Sequence, residues 1–250
     1  MLILALDTTN EKGGVGIFRD AECLTLVPNE GPANRYSITL FEMAQQALAQ
    51  AHLQLREIDL YAAANGPGSF TGIRVGLAAA RGWGKAFGRR VRGVSVLEAM
   101  VQAQGLRIGG AGHGSTRPEW YFPILDARRG EFFLGSFRRR HLELSGAMGQ
   151  DYEVADGGWV LTADLLRRFM VEQLAAGGSA TCVVRAHDQT AADLCATLPR
   201  SLGCKKIEGT LVDPIASIVL REEQSSRPCP DASLDAYYIR RPDAEINWRD

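Results

Sequence analysis

The sequence predicts an α/β protein of two lobes, each a mixed sheet with flanking helices. Three observations predict it. In the first half the elements run β-β-β-α-β-α-β-α, read from apolar runs of strand length and stretches of helical period. The second half begins the same way. Leu4-Ala5-Leu6-Asp7 and Pro123-Ile124-Leu125-Asp126 are each a strand ending in Asp, followed by a turn and a second strand, Gly14–Phe18 in one case and Phe133–Phe137 in the other. The 250 residues, 46% hydrophobic and 23% charged, suffice for one large domain or two small ones of ordinary globular balance.

Leu2–Leu6 reads as a buried strand, and Gly14–Arg19 and Ala21–Val27 as two more joined by a short turn. Tyr36–Ala51 carries Leu40, Met43, Ala44, Ala47, Leu48 and Ala51 on one broad side and reads as a helix. Strand Ile58–Ala64 then leads to helix Ser69–Phe87, strand Val91–Val96 and a helix over Leu97–Gln104. The glycine-rich stretch Gly105–Gly114 reads as a linker between a first lobe, 1–104, and a second, 115–250. In the second lobe strands are predicted at Trp120–Asp126, Glu131–Arg138, near Tyr152–Val154 and at Ala180–Arg185, with helices at Thr162–Ala175 and Thr190–Leu198. A last helix, Pro214–Gln224, precedes a Pro-containing tail and is free to pack back on the first lobe. Two β-β-β-α-β-α lobes suggest the actin-like ATPase (ASKHA) architecture, with a cleft between the lobes.

The densest signal is Asn65-Gly66-Pro67-Gly68-Ser69-Phe70-Thr71-Gly72-Ile73-Arg74-Val75-Gly76. It leaves a strand through a tight glycine turn and opens a helix that Ser69 or Thr71 can cap. Such a turn is a natural anion seat. The phosphate-loop pattern, however, needs Lys and Ser/Thr after its last glycine, and Ile73-Arg74 follow Gly72 instead. Gly72, Gly76, Ala80, Gly84 and Gly88 then recur at a spacing of four. Each helical glycine costs about 1 kcal/mol relative to alanine, so a close approach must offset the row. That approach is made either by a partner's helix or by this helix's own sheet.

Net charge is −1, which gives no global attraction to nucleic acid or anionic membrane. The clusters Arg89-Arg90-Val91-Arg92 and Arg138-Arg139-Arg140 read as solvated edges. Asp7 interrupts the apolar N-terminus too early for a signal peptide, and no run reaches the roughly 18 apolar residues of a membrane span. The five cysteines, Cys23, Cys182, Cys195, Cys204 and Cys229, form no C-x-x-C pair and fit a reduced, cytoplasmic setting.

In an actin-like cleft Asp7 sits at a strand end, and Thr8 and Thr9 open a turn that can offer donors to phosphates; a plain hairpin turn explains the same residues. The second phosphate loop, Asp126-Ala127-Arg128-Arg129-Gly130, has Arg where glycine is expected, and Ala186-His187 stand where an adenine turn needs Gly-Gly. His52, His113, His141 and His187 are scattered, so no metal cluster is visible. Gly-Pro-Gly-Ser69-Phe does not match a nucleophile elbow.

Leu4-Ala5-Leu6-Asp7-Thr8-Thr9, the block Gly66 to Arg74, Gly93-Val94-Ser95-Val96-Leu97-Glu98-Ala99, Asp126-Ala127-Arg128-Arg129-Gly130-Glu131 and Tyr237-Tyr238-Ile239-Arg240 with Asp243-Ala244-Glu245 closely resemble the TsaB (YeaZ) family. That family serves the bacterial threonylcarbamoylation of adenosine 37 in tRNA (t6A) and is similar to TsaD, the catalytic subunit. The resemblance implies a non-catalytic subunit that binds and supports TsaD, with the TsaE ATPase as second partner and tRNA met through the complex. It allows a homodimer in isolation, and weak ATP or ADP binding at Asp7, Thr8 and Thr9. Val96 and Met100 fall where TsaD carries its two metal-binding histidines, so neither metal nor catalytic residues are expected. The TsaD-binding surface is expected on the two N-terminal helices, at Tyr36, Leu40, Met43, Ala44, Ala47, Gly72, Ile73, Gly76, Leu77 and Ala80. Tyr36-Ser37 departs from the His-Ser of many relatives. The rival readings are an ATP-dependent phosphotransferase of the actin-like fold and a metallopeptidase.

Overall fold

The computed structural model describes residues 1–32, 35–104, 119–141, 150–175 and 179–224. In chain order the elements are β1 (Leu2–Asp7), β2 (Gly14–Arg19), β3 (Glu22–Pro28), α1 (Tyr36–Ala51), β4 (Leu60–Gly66), α2 (Phe70–Phe87), β5 (Arg90–Ser95), α3 (Val96–Gln102), β6 (Glu119–Arg128), β7 (Glu131–His141), β8 (Gln150–Thr162), α4 (Ala163–Ala175), β9 (Ser179–Arg185), α5 (Gln189–Ala196), β10 (Gly203–Ile207) and α6 (Val212–Gln224). They fall into two units. The first holds Met1–Ala99 and the described residues from Gly209 onward; the second holds the described residues from Met100 to Glu208.

The first unit is a five-stranded sheet of order β3-β2-β1-β4-β5. β2 runs antiparallel to β1 and β3, whereas β4 runs parallel to β1 and β5. Short turns join the antiparallel strands, and helices make the parallel crossovers. β1 is central and covered on both faces, which is why Leu-Ile-Leu-Ala-Leu reads as an unbroken apolar run. Leu4 and Leu6 point to one face, where they pack with Tyr36, Leu40 and Ala47 of α1 and Ile73, Leu77 and Ala80 of α2. Side chains alternate along a strand, so Ile3 and Ala5, both fully buried, belong to the opposite face. α6 packs against β1, β2, β4 and β5. Val212, Ile215, Ala216, Ile218 and Val219 are its buried side. Its far end is tied by ion pairs from Arg90 and Arg92 to Glu223.

The second unit repeats this plan. Its sheet order is β10-β9-β6-β7-β8, so the first strand of each unit lies centrally, with an antiparallel meander on one side and two parallel strands on the other. α4 and α5 bury Leu166, Met170, Ala191 and Leu194 against Phe122, Ile124, Phe132 and Leu134 of the sheet. The predicted elements up to β7 recur within a few residues. β8 is far longer than the strand expected near Tyr152–Val154, and β10 was not foreseen. The expected linker, Gly105–Gly114, and the motif after Tyr237 lie outside the described residues.

Helix ends follow the local sequence. Ser69 caps α2, its hydroxyl accepting from the Gly72 amide at 3.2 Å. Gly88 closes the same helix at φ +62°, a conformation that glycine adopts without strain. Replacing Ser69 with alanine is expected to lower stability by about 1 kcal/mol, the usual worth of a hydroxyl cap; chemical denaturation measures it. Among the described residues no helix is long and apolar enough to cross a membrane.

Candidate functional site

The loop after β1 was the expected phosphate site. Asp7, Thr8 and Thr9 are all buried. The Thr9 amide and hydroxyl both donate to Asp7 Oδ1, at 3.0 and 2.6 Å. The Thr8 hydroxyl donates to the Gly72 carbonyl at 2.7 Å, and the Thr9 carbonyl accepts from the Ser69 amide at 2.7 Å. The loop is therefore clamped beneath the first turn of α2, with both threonine hydroxyls and the Thr9 amide held inside it. A further side chain has no room here. A Cβ at Gly72 would overlap the Thr8 carbonyl oxygen, one at Gly76 the Thr8 hydroxyl, and one at Gly13 the Asp7 carbonyl and the Tyr36 hydroxyl. In this arrangement the Thr8 and Thr9 hydroxyls, two of the expected phosphate donors, are engaged within the protein.

The second unit echoes this geometry. Asp126 stands at the end of the central strand, and its Oδ1 accepts from the Arg128 amide at 2.7 Å, as Asp7 does from Thr9. The cap of the second helix again reaches the central strand: Asp188 accepts from Ala191 at the start of α5 and from the Asp126 amide, at 2.9 and 2.8 Å. Arg128 and Arg129 take φ of +67° and +58° in the β6–β7 turn, where non-glycine residues are strained. Ala186-His187 simply lead from β9 into the Asp188 cap.

The ten residues expected to meet a partner are turned the other way. Tyr36, Leu40, Met43, Ala44, Ala47, Ile73, Leu77 and Ala80 are at most 7% exposed. Gly72 and Gly76 are buried too. The expectation is corrected on packing grounds: this stripe is the core of the first unit, and its glycines admit the β1–β2 loop rather than a foreign helix. Gly84 belongs to the same row, where a Cβ would overlap Val91.

The outward side of α1 and α2 is apolar in its own right. Ile38 is 60% exposed and Phe41 52%, and Phe70 is 37% exposed. Phe41 meets Trp83 edge-on at 5.7 Å, bridging the two helices, and Arg74 lies 3.8 Å over the Phe70 ring. Ala78 and Gly82 leave a shallow strip along exposed α2. A Cβ at Gly82 would have nothing within 4 Å. The sequence did carry a signal for this surface: Ile38 and Phe41 lie off the Leu40–Met43–Ala44–Ala47 stripe, so α1 is apolar on more than one side. Among the described residues no group of His, Cys, Asp and Glu is gathered to hold a metal ion. Val96 and Met100 are both buried.

Two units of one β-β-β-α-β-α plan define an α/β fold of actin-like order. Residues 26–205 match the family model described as TsaD: tRNA N6-adenosine threonylcarbamoyltransferase, and the chain belongs to that family. Its similarity within the family runs to TsaB and YeaZ proteins. The tRNA threonylcarbamoyladenosine biosynthesis protein TsaB of Escherichia coli is 32% identical over 142 residues, 56% of this chain and 56% of the relative. Its namesake in Bacillus subtilis is 27% identical over 145 residues, 56% and 57% of the two chains. The matched stretch thus spans little more than half the length of these curated relatives. Among solved structures, YeaZ from Pseudomonas aeruginosa shares the fold with a TM-score of 0.66 at 21% identity, over 95% of this chain and 99% of that one. A Pseudomonas aeruginosa protein described as similar to the peptidase YeaZ gives 0.67 at 23%, over 96% and 99%.

Proposed function

We propose that this chain takes part in the synthesis of N6-threonylcarbamoyladenosine in tRNA as a non-catalytic subunit, holding TsaD through the outward face of α1 and α2. The observation that carries this reading is the exposure of Ile38 and Phe41 on α1 and of Phe70 on α2, together with an open glycine at Gly82 beside the Trp83 that Phe41 meets. A surface helix has no internal reason to keep a glycine that costs about 1 kcal/mol and contacts nothing, whereas a closely packed partner helix supplies one. The TsaB names of the relatives support the pathway. TsaE as a second partner, a homodimer when TsaD is absent and a cytoplasmic setting belong to the same reading.

The clamped β1–β2 loop argues against the phosphotransferase alternative. The chain is expected to bind ATP no tighter than roughly millimolar and to show no turnover. A low-micromolar dissociation constant in calorimetry, lost in Asp7→Ala, would restore that alternative. Val96 and Met100 offer a hard or borderline metal no ligand, which argues against the metallopeptidase.

The test is a reconstitution. The chain is titrated into TsaD, and tRNA modification is followed with TsaD, TsaE, threonylcarbamoyl-adenylate and tRNA present. Expected are a stoichiometric complex, modification that depends on the chain, and none from the chain alone. Modified adenosine made without TsaD, or made at equal rate without this chain, overturns the reading.

A further inference from the structure

The sequence shows no paired cysteines, but the second unit brings three together. Cys182 of β9 and Cys204 of β10 are register partners on adjacent parallel strands, so both side chains leave the same face of the sheet. That face is the one α5 covers, and Cys195 of α5 packs with Cys182 in the core beneath it. Cys195 lies close enough to both of the other thiols to interact with them. Cys182 and Cys195 are buried, while Cys204, on the edge strand, is exposed. The three thiols thus cluster under α5, with Cys204 alone reaching the surface.

We propose that Cys204 and Cys195 are a reversible modification site, forming a disulfide that staples β10 to α5 when the protein meets a hydroperoxide. In the first step the Cys204 thiolate attacks one peroxide oxygen. The O–O bond breaks, and the departing hydroxide, or alkoxide from an organic peroxide, takes up a proton to become water or an alcohol. Cys204 is left as a sulfenic acid. Cys195 sulfur then attacks the sulfenic sulfur. The S–S bond forms, the S–O bond breaks, and the oxygen leaves as water with the proton Cys195 gives up. Two thiols supply the two electrons that reduce one peroxide. Cys182 stays reduced behind the bond, and two equivalents of a small external thiol reopen it by exchange, leaving as their own disulfide.

The surroundings set the tempo. Burial and the neighbouring Cys195 push the Cys204 thiol up to about 11, with Lys206 opposing, and Cys195 is raised by its bond to Cys182, by burial and by Asp188. Both thiols are protonated at neutral pH, and the thiolate is the nucleophile, so oxidation is slow and quickens as pH rises. The cluster is stable to casual oxidation and responds to sustained exposure.

The experiment uses the full chain with Cys23 and Cys229 replaced by serine. The reduced protein is exposed to hydrogen peroxide at mildly alkaline pH, blocked with a maleimide, digested and mapped by mass spectrometry. Expected is a peptide pair linked through Cys195 and Cys204, lighter by two hydrogens, with Cys182 still blocked by the maleimide and the link lost in dithiothreitol. Cys195→Ser should leave Cys204 as a sulfenic acid that dimedone traps, and Cys204→Ser should form no link. The proposal is overturned if Cys204 passes to sulfinic or sulfonic acid with no linked peptide, if it bridges to Cys182 or to another chain, or if Cys204→Ser still forms a link. The mapping of the protein with all three thiols decides without any cluster variant having to fold.

Discussion

Replacing Gly72 with alanine should lower stability by about 3 kcal/mol, while the same replacement at Gly82 in the same helix should raise it by about 1 kcal/mol. The intrinsic term is identical at the two sites, because alanine is the better helix former by about 1 kcal/mol. The surroundings reverse its sign at one of them. At Gly72 the new Cβ would overlap the Thr8 carbonyl oxygen, a backbone atom with no rotamer in which to retreat. Either α2 lifts or the β1–β2 loop shifts, and both break the Thr8 hydroxyl bond to the Gly72 carbonyl. At Gly82 the new methyl meets nothing within 4 Å. For a chain of this size 1 kcal/mol is worth about 2–4 °C in melting temperature, so the two variants should separate by roughly 8–16 °C. Calorimetry on the pair is the check. Equal melting temperatures would mean that the glycine row owes nothing to the β1–β2 loop.

The second large effect is on association. Gly82→Leu and Phe41→Ala should each leave the fold intact and weaken binding to TsaD by roughly one to two decades, the equivalent of about 1–3 kcal/mol. Leucine at Gly82 fills the strip that a facing helix would occupy, and alanine at Phe41 removes an exposed aromatic of the kind that anchors interfaces. The informative control is Glu172→Leu, exposed on α4 and so on neither of the two helices, which should not change affinity. Titration calorimetry reads all three. A full-strength complex from folded Gly82→Leu and Phe41→Ala would place the contact on another surface.

These expectations depend on a distinction that the sequence alone left open. The spacing of Gly72, Gly76, Ala80 and Gly84 announced close approach, and close approach is what the structure has. A one-dimensional pattern cannot say which neighbour approaches, because Thr8 lies far away in sequence and arrives only through the pairing of β1 with β4. The helical stripe of α1 was legible for the same reason that it was misassigned: apolar period marks a buried side, and burial in the chain's own core is the commoner cause. β10 went unread because Gly-Cys-Lys-Lys-Ile is short and carries two lysines in five residues, as befits an edge strand that needs protection from further pairing. The nucleotide loop looked half intact because Asp7, Thr8 and Thr9 are residue types that serve phosphates and Asx-type turns alike. The bonds from Thr9 to Asp7 are the turn-type use of these residues, and only the folded chain reveals them.

The return of α6 to the first sheet has a consequence for how the protein is made. A ribosome delivers β1 to β5 first, yet one face of that sheet stays bare until Val212–Val219 emerge. The strands and helices described for the second unit, drawn from the intervening chain, are all made before then. The older strands are thus the later to be finished, and through most of translation they present an uncovered apolar surface, the condition under which nascent chains aggregate or recruit chaperones. A chain halted after Glu208 should remain in that unfinished state: every described element of its second unit made, its first sheet still waiting for α6, carried by the sixteen residues Gly209 to Gln224.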